Sequence, residues 1–460
     1  MKPKSKIHFE ISERKILLRI FDIIFALAGL YVVSAVFNFG YFMINADNWT
    51  WSIVLAIYLT VFATIFELYS LQKTNDRSRV LKNIILTTSV TVLFYLLTPF
   101  FTPSLPENRL QIIYFFLAIL GSLCIWRFAY ITLIGSPRFY KNVLVVGDSF
   151  EIDKIAANLQ AADPHYAVVG YLNTSSNHPS VLIPKVELAQ LLETVQEMRI
   201  SEIVVSSSLQ DGVGKDLYAK LLTLLKEGYP IKEYFHVYED LTCRLPVENM
   251  EKDFYKYFPF SRSNQNKLYL FFHRLFDLVF SLIGLACLLI FIPFVFLLNL
   301  GWNRGPLFYK QTRVGKGGKS FEIIKFRTMV TNAEELGAQF ATKNDTRVTA
   351  FGKFLRKTRI DEIPQFFNVL SGEMSFIGPR PERPFFVEEL SKSISFYEIR
   401  HTIKPGLTGW AQVSAKYGET QEDSLTKLQY DLYYIKHRGM FLDLRIILKT
   451  MSTVIFFRGQ

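Results

Sequence analysis

Cysteine is nearly missing from this chain: Cys124, Cys243 and Cys287 are the three in 460 residues, and they stand far apart. That excludes a disulfide framework and the paired-thiol spacing of a structural zinc site. Acid is also in deficit, with 41 Asp and Glu against 52 Lys and Arg, a formal charge of +11. An excess of this sign suits nucleic acid, an anionic membrane surface or a phosphorylated substrate, and the positions of the charges must decide. Polar residues are short as well, since 50% of the chain is hydrophobic, with 42 Phe and 23 Tyr. An ordinary cytosolic enzyme does not have that composition. A cleavable signal peptide is not expected, because the first apolar stretch is long and three more of similar length follow.

What is present begins with those four stretches, roughly 16–37, 49–71, 80–101 and 111–134, each near the 20 or so residues a bilayer crossing needs. Lys2, Lys4, Lys6, Arg14 and Lys15 precede the first, and Lys73, Arg77, Arg79 and Lys82 lie between the second and third. The other two loops, 38–48 and 102–110, hold Arg109 as their one basic residue. The positive-inside rule then puts both ends of a four-helix transmembrane bundle, residues 1–135, in the cytoplasm, and with them everything after Arg138.

Residues 136–250 change character. Short apolar runs at 141–146, 167–172 and 203–205 alternate with amphipathic stretches, the pattern of a small doubly wound, Rossmann-like α/β domain. Its glycine turn, Val146-Gly147-Asp148-Ser149-Phe150, lacks the three glycines that let a backbone approach a pyrophosphate. A structural or regulatory role is expected in preference to dinucleotide binding. Residues 251–266 read as a linker to a last domain, 267–460.

That domain opens on a fifth apolar segment, Leu275 to Leu300, long enough to span. Its flanks argue against a crossing. Lys267, His273 and Arg274 stand before it and Arg304, Lys310 and Arg313 after it, so both ends ask for the cytoplasm. Pro293 removes a backbone hydrogen bond inside it and favours a bend. We expect a re-entrant helix over 273–301.

Two strand-like runs, Phe308 to Arg313 and Phe321 to Arg327, follow around the basic glycine turn 314–320. Gly318-Lys319-Ser320 is not a nucleotide-binding P-loop, since Arg313 stands at the first glycine's place and a strand follows. Lys325 and Arg327 share a strand face, with Phe326 opposite, and two cations on one face suit a phosphorylated ligand. Further on, Pro364 is tolerated only in a helix's first turn, so a helix is expected from near Asp361 to Gly372. The positive helix end, with Arg356, Lys357 and Arg359 before it, should keep Asp361 ionised, and an ionised carboxylate can attack phosphorus. Taken alone, Asp361 is better read as an ordinary N-cap.

The combination changes that reading. Lys325-Phe326-Arg327-Thr328-Met329, the Asp361-Glu362 pair, the turn Gly378-Pro379-Arg380-Pro381 and the loop Lys404-Pro405-Gly406-Leu407-Thr408-Gly409-Trp410 together resemble the catalytic domain of the bacterial sugar transferases, the monotopic phosphoglycosyl transferases. The layout of bundle, α/β domain and small α+β catalytic domain resembles the family's long form. The resemblance implies that Asp361 takes a hexose 1-phosphate from a UDP-sugar, releasing UMP, and passes it to undecaprenyl phosphate to begin a capsule or exopolysaccharide. It implies Mg2+ beside Asp361 and Glu362, Arg356 on the lipid phosphate, and Arg380 on the nucleotide, with Arg313, Lys325 and Arg327 as further substrate-binding cations. It implies a bacterial cytoplasmic membrane and lipid as a neighbour, with glucose favoured over galactose or an N-acetylated sugar; the oligomeric state is left open, a second copy of the chain being a candidate partner. The family's usual Ser-Pro break is Ile292-Pro293 here, so the serine's hydrogen bond is lost.

Other classes fit less. A glycosyltransferase would release UDP and use an acidic metal motif in an α/β domain, which is not seen. A nucleotide-responsive membrane regulator or scaffold would leave the Asp-Glu and Gly-Pro-Arg-Pro motifs without a task. Nucleic acid is not an expected partner, because membrane flanks and the catalytic block account for the charge. Finally, Phe441, Leu442, Leu444, Ile447, Leu448, Met451, Val454 and Ile455 recur at helical spacing with Asp443, Arg445, Lys449 and Thr450 between. An interfacial helix with a basic polar side is expected, ending in Phe456-Phe457-Arg458.

Overall fold

A computed structural model describes residues 11–455, apart from 38, 43–47, 70–76, 135–139, 148, 164, 174–182, 207–213, 248–265, 304, 332, 334–344 and 416–419. The flanking cations Lys2, Lys4, Lys6, Lys73, Arg138 and Arg304 lie outside the described residues, as do Asp148, the linker 251–265 and Phe456-Phe457-Arg458. The chain divides into two compact units, Met1–Thr242 and Cys243–Gln460.

In the first unit, α1 (Ile11–Phe37), α2 (Trp49–Ile65), α3 (Arg77–Leu97) and α4 (Leu110–Ile134) occupy the four apolar stretches. The first, third and fourth are long and apolar enough to cross a membrane, while α2, expected to run to residue 71, ends after 17 residues. Polarity here is inverted relative to a soluble bundle. Ile20, Ile24, Tyr31, Ile57, Leu93 and Ile125 are exposed, whereas the Asp22 carboxylate accepts from Arg127 at 2.5 Å with both side chains buried. Lipid on the outside and a charge pair on the inside is how an intramembrane ion pair is tolerated. These helices make this a membrane protein. At the start of α1, Arg14 pairs with Asp163 at 2.7 Å, joining the bundle to the α/β part of the same unit.

That part is a parallel sheet of β1 (Lys141–Gly147), β2 (Tyr166–Asn173), β3 (Glu202–Val205) and β4 (Ile231–Glu233), in the order β2-β1-β3-β4. Successive side chains of a strand point to opposite faces, so Val143 and Val145 enter one core with Ile152 and Leu159 of α5 (Ser149–Ala162). Leu144 and Val146 enter another with α6 (Leu191–Glu197) and α7 (Lys215–Lys226). Burial on both faces explains why these strands read as unbroken aliphatic runs. The last described helix of the unit is α8 (Tyr234–Thr242).

In the second unit, α9 (Lys267–Trp302) is a 36-residue helix with Pro293 inside it. It holds the rest of the unit at both ends. Near its start, Tyr269 donates to Asp443 at 2.8 Å, and the Asp277 carboxylate accepts from the Ser375 hydroxyl and the Phe376 amide at 2.8 Å each. At its end, Asn299 donates to the Gly305 carbonyl at 2.9 Å and Asn303 to the Arg327 carbonyl at 2.8 Å. Between them Leu288 and Val295 pack on Phe326, Phe351 and Leu355. Leu275, Val279, Leu282, Leu289, Ile290 and Leu297 are exposed along another face.

Onto α9 pack the hairpin β5 (Phe308–Val314) and β6 (Ser320–Phe326), α10 (Ala350–Thr358), α11 (Phe366–Ser371) and the parallel pair β7 (Ser375–Ile377) and β8 (Gly406–Thr408). The remaining helices are α12 (Pro384–Ser393), α13 (Trp410–Ser414), α14 (Gln421–His437) and α15 (Met440–Ile455). Residues just past Thr242 belong here too, since Trp410 donates to the Cys243 carbonyl at 3.0 Å.

The C-terminal helix turns its polar side inward. In α15 Asp443 is buried against Tyr269 and Tyr434, and Arg445 and Lys449 lie over the Trp410 ring at 4.8 and 4.4 Å. The side turned out is apolar, with Phe441 92% exposed beside Leu444, Met451 and Val454. Buried polar partners on one side and exposed hydrophobes on the other suit a helix whose outer face meets lipid.

A glycine lets two helices of the unit meet closely. A Cβ at Gly284 would lie 2.2 Å from the Phe366 ring, so α9 and α11 meet there only because the side chain is absent. Gly284→Leu should therefore destabilise the unit by about 1–3 kcal/mol through overpacking. A lower thermal midpoint of the detergent-solubilised protein is the expected readout, and an unchanged midpoint would show that α11 can shift freely.

Candidate active site

Two carboxylates, four cations and two glycine loops converge after α10. The first turn of the site is made by Arg359, whose left-handed backbone (φ 61°) ends α10. The chain then runs as a 3-10 turn, Ile360–Gln365, before becoming α11 and stopping at Gly372 (φ 88°). The single helix expected from Asp361 is thus two short pieces, with Pro364 in the first. The break places Asp361 and Glu362 at the head of the turn, and both are buried.

Glu362 is clasped from three directions. Arg380 donates to it at 2.9 Å, Arg359 at 3.1 Å and Lys325 at 3.5 Å. Burial alone would raise its pKa, but the charges of Arg380, Lys325 and Arg359 win and hold the carboxyl well below the usual range. Asp361 goes the other way. Burial, then the negative Glu362 beside it, push it up to about 6 against the pull of Lys325, Arg356 and Arg359. The helix end and the cations were expected to keep Asp361 ionised; a value near 6 still leaves it ionised at neutral pH, although desolvation outweighs the cations in setting that value. Its Oδ1 is buried without a hydrogen-bond partner. Lys325 is shifted too, pushed down by burial to about 8, with Arg380 and Arg313 adding to the effect.

The other predicted cations divide. Arg356, in the last turn of α10, donates to the Thr328 hydroxyl at 2.9 Å and is close enough for its charge to act on Asp361. Arg313 joins β5 to the Gly378-Pro379-Arg380-Pro381 turn, donating to the Pro381 carbonyl at 3.1 Å and pairing with Glu382 at 3.6 Å. Arg327 does not join them. Its guanidinium is buried and used on the carbonyls of Pro306, Asn303 and Met329, closing the end of α9. Lys325 lies in β6, but Arg327 falls just past the strand's last residue, where the two-residue alternation no longer applies.

The two glycine loops are one structure. Gly378 donates to the Thr408 carbonyl and Gly406 to the Pro379 carbonyl, both at 2.8 Å, and a Cβ on Gly378 would meet the Lys404 carbonyl at 2.5 Å. Sequence reasoning did not find what holds this turn in place. Buried Arg400 donates to the Arg380 carbonyl at 3.0 Å and to Asp431 at 2.9 Å. The signal available was Asp431 itself, an acid on the same helical face as the buried Leu428, Leu432 and Ile435. Asn368 was missed as well: it accepts from the Ile324 amide at 3.2 Å and donates to the Glu322 carbonyl at 2.7 Å, locking α11 to the hairpin.

Among the described residues no three His, Cys, Asp or Glu side chains gather as a metal site. A hard divalent cation that keeps water and phosphate oxygens needs only one or two carboxylates, and the orphaned Asp361 Oδ1 fits that role. Glu362 fits less well, since both of its oxygens are engaged by cations.

Known proteins resemble the region that holds this site. The family described as bacterial sugar transferase matches residues 268–457. A UDP-N-acetylgalactosamine-undecaprenyl-phosphate N-acetylgalactosaminephosphotransferase of Aeromonas hydrophila is 40% identical over 230 residues, 49% of this chain and 52% of that protein. A UDP-glucose:undecaprenyl-phosphate glucose-1-phosphate transferase of Xanthomonas campestris pv. campestris is 49% identical over 154 residues, 33% of this chain and 32% of that protein. The chain thus spans about half or less of the length of these two relatives. In Bacillus subtilis (strain 168), a putative undecaprenyl-phosphate N-acetylgalactosaminyl 1-phosphate transferase is 49% identical over 141 residues, 31% of this chain but 79% of that shorter protein. With the carboxylate pair, its cations and both glycine loops inside the matched region, this chain belongs to the bacterial sugar transferase family.

Proposed function

We propose that this protein transfers a hexose 1-phosphate from a UDP-sugar to undecaprenyl phosphate and so initiates a capsule or exopolysaccharide repeat unit. The observation that carries the reading is the buried Asp361 carboxylate, one oxygen without a partner, beside Glu362 and its cations. Asp361 attacks the sugar-bearing phosphorus, the bond to the bridging oxygen breaks, and UMP leaves with that oxygen. An oxygen of undecaprenyl phosphate then attacks the aspartyl phosphosugar, and the carboxylate is regenerated. Arg380 and Lys325 balance charge on the diphosphate, Glu362 holds those two in place, and Arg356 receives the lipid phosphate. A Mg2+ ion would be held chiefly by the unpartnered oxygen of Asp361, with Glu362, engaged by its cations, as the lesser ligand, and would neutralise the diphosphate and improve the leaving group. A non-catalytic regulator or scaffold has no use for a desolvated, unpartnered carboxylate beside these cations.

The same proposal puts the protein in a bacterial cytoplasmic membrane, with the bundle's ends, the Rossmann-like α/β domain and the catalytic domain all on the cytoplasmic side. The helix α9 is read as re-entrant. Its support is that Tyr269 and Asp277 at one end and Asn299 and Asn303 at the other all hold the same small unit. A straight crossing of about 30 Å of hydrocarbon would carry those attachments to opposite faces.

Replacing the nucleophile should be decisive. Asp361→Asn keeps the size and removes the charge, so formation of lipid-linked sugar from UDP-glucose, UDP-galactose or their N-acetylated counterparts should fall by about three orders of magnitude or more. Near-normal turnover would sink the assignment.

The pH profile carries a second signature. Below about 6 Asp361 takes up a proton and stops attacking; above about 8 Lys325 loses its charge and its hold on phosphate. A bell-shaped kcat/KM with limbs near those values is expected, and Lys325→Arg should remove the alkaline limb. A flat profile across that window contradicts both roles.

For topology, Lys267→Cys and Gly301→Cys lie in the first and last turns of α9 and leave the bonded Asn266 and Asn303 in place. In a chain with its native cysteines replaced, a membrane-impermeant thiol reagent should reach both from the cytoplasmic face only. Labelling of one from outside would make α9 a true span.

A further inference from the structure

A cavity of about 300 Å³ is lined by Tyr309, Lys310, Gln311 and Thr312 of β5 on one side and by Arg383, Pro384 and Phe385 around the start of α12 on the other. We propose that it receives the nucleoside end of the UDP-sugar, an inference that rests on the transferase reading above.

The hairpin's register connects the cavity to the site. Tyr309 pairs with Lys325 across the two strands, and paired residues of an antiparallel ladder share a face. Gln311 and Arg313 follow on that face at the two-residue period. Hydrogen bonds join the three: Gln311 donates to the Tyr309 hydroxyl at 3.1 Å and accepts from Arg313 at 2.5 Å. The cavity wall and the cation next to Arg380 are therefore one rigid row. Arg313 senses the charges of both Arg380 and Arg383, so cations run from the cavity to the Glu362 clasp.

The order of groups in a nucleoside diphosphate sugar matches that row. The hexose is carried by the phosphorus that Asp361 attacks, so it sits at Asp361. The second phosphate comes next, and the nucleoside is one phosphate further away. Flat aromatic faces at Tyr309 and the exposed Phe385 suit a planar base, and Arg383 with the Tyr309 hydroxyl suits its polar edge.

The test uses the full chain in detergent, titrated calorimetrically with UMP and, separately, with pyrophosphate, which lacks the nucleoside. Phe385→Ala should weaken UMP about tenfold, the scale of a lost base-stacking face, and leave pyrophosphate unchanged. Phe385→Leu, which keeps most of the volume without the ring, should weaken UMP as well and guards against a folding defect in the alanine variant. Unchanged UMP affinity in both variants overturns the proposal. So does a parallel loss of pyrophosphate, or a raised KM for UDP-sugar with UMP binding intact, which would give the cavity to the hexose. If UMP binding follows the expected pattern while the wild-type chain forms no lipid-linked product from any UDP-sugar, the transferase reading fails and the nucleoside cavity stands.

Discussion

The Glu362 carboxylate is the point on which the site is hung. Its three cations come from three different pieces of chain: Lys325 from the hairpin, Arg359 from the junction between two helices, and Arg380 from the Gly-Pro-Arg-Pro turn. Each bond alone is modest, but together they fix three elements around one buried charge. The arrangement also sets the character of Asp361. With Glu362 satisfied and kept ionised, the negative charge beside Asp361 is permanent, and it adds to burial in raising the Asp361 carboxyl. One carboxylate organises and its neighbour is left with an unsatisfied oxygen.

The layers behind this clasp are built to keep it from shifting. Buried Arg400, itself paired with buried Asp431, holds the carbonyl of Arg380 from behind, and the bare backbones of Gly378 and Gly406 let the two loops touch directly. Asn368 fastens α11 to the hairpin, and Gly284 lets α11 sit flush against α9. A removed partner in such a network leaves a buried charge uncompensated, which is why its cost exceeds that of the bond itself.

Much of this was legible in the residue order, for reasons that differ by region. The bundle and the α/β strands are carried by patterns of hydrophobicity, which survive in one dimension because burial acts residue by residue. The Asp-Glu pair and both glycine loops were legible as motifs. What could not be read was which cations face inward. Arg327 and Lys325 differ by two positions, yet the strand ends between them and Arg327 turns to the carbonyls at the end of α9. The balance between desolvation and cation attraction at Asp361 depends on burial that only the packed structure supplies. Similarly, helical periodicity located the apolar stripe of α15 without saying which side would be turned in. The answer came from Trp410, whose ring draws Arg445 and Lys449 inward.

The double attachment of α9 has a kinetic meaning. A domain tethered by a flexible chain can leave a surface and return, sampling the bulk in between. One bonded to its membrane element at Tyr269, Asp277, Asn299 and Asn303 does not have that freedom. On the re-entrant and transferase readings proposed above, its carboxylate pair stays at a constant depth, and the two substrates those readings assign reach it in spaces of different dimension. The soluble donor arrives from a volume and obeys ordinary concentration. The lipid acceptor arrives along a plane, so its supply is set by the number of molecules per unit of bilayer area, and diluting the membrane with inert lipid would starve the second step while leaving the first untouched.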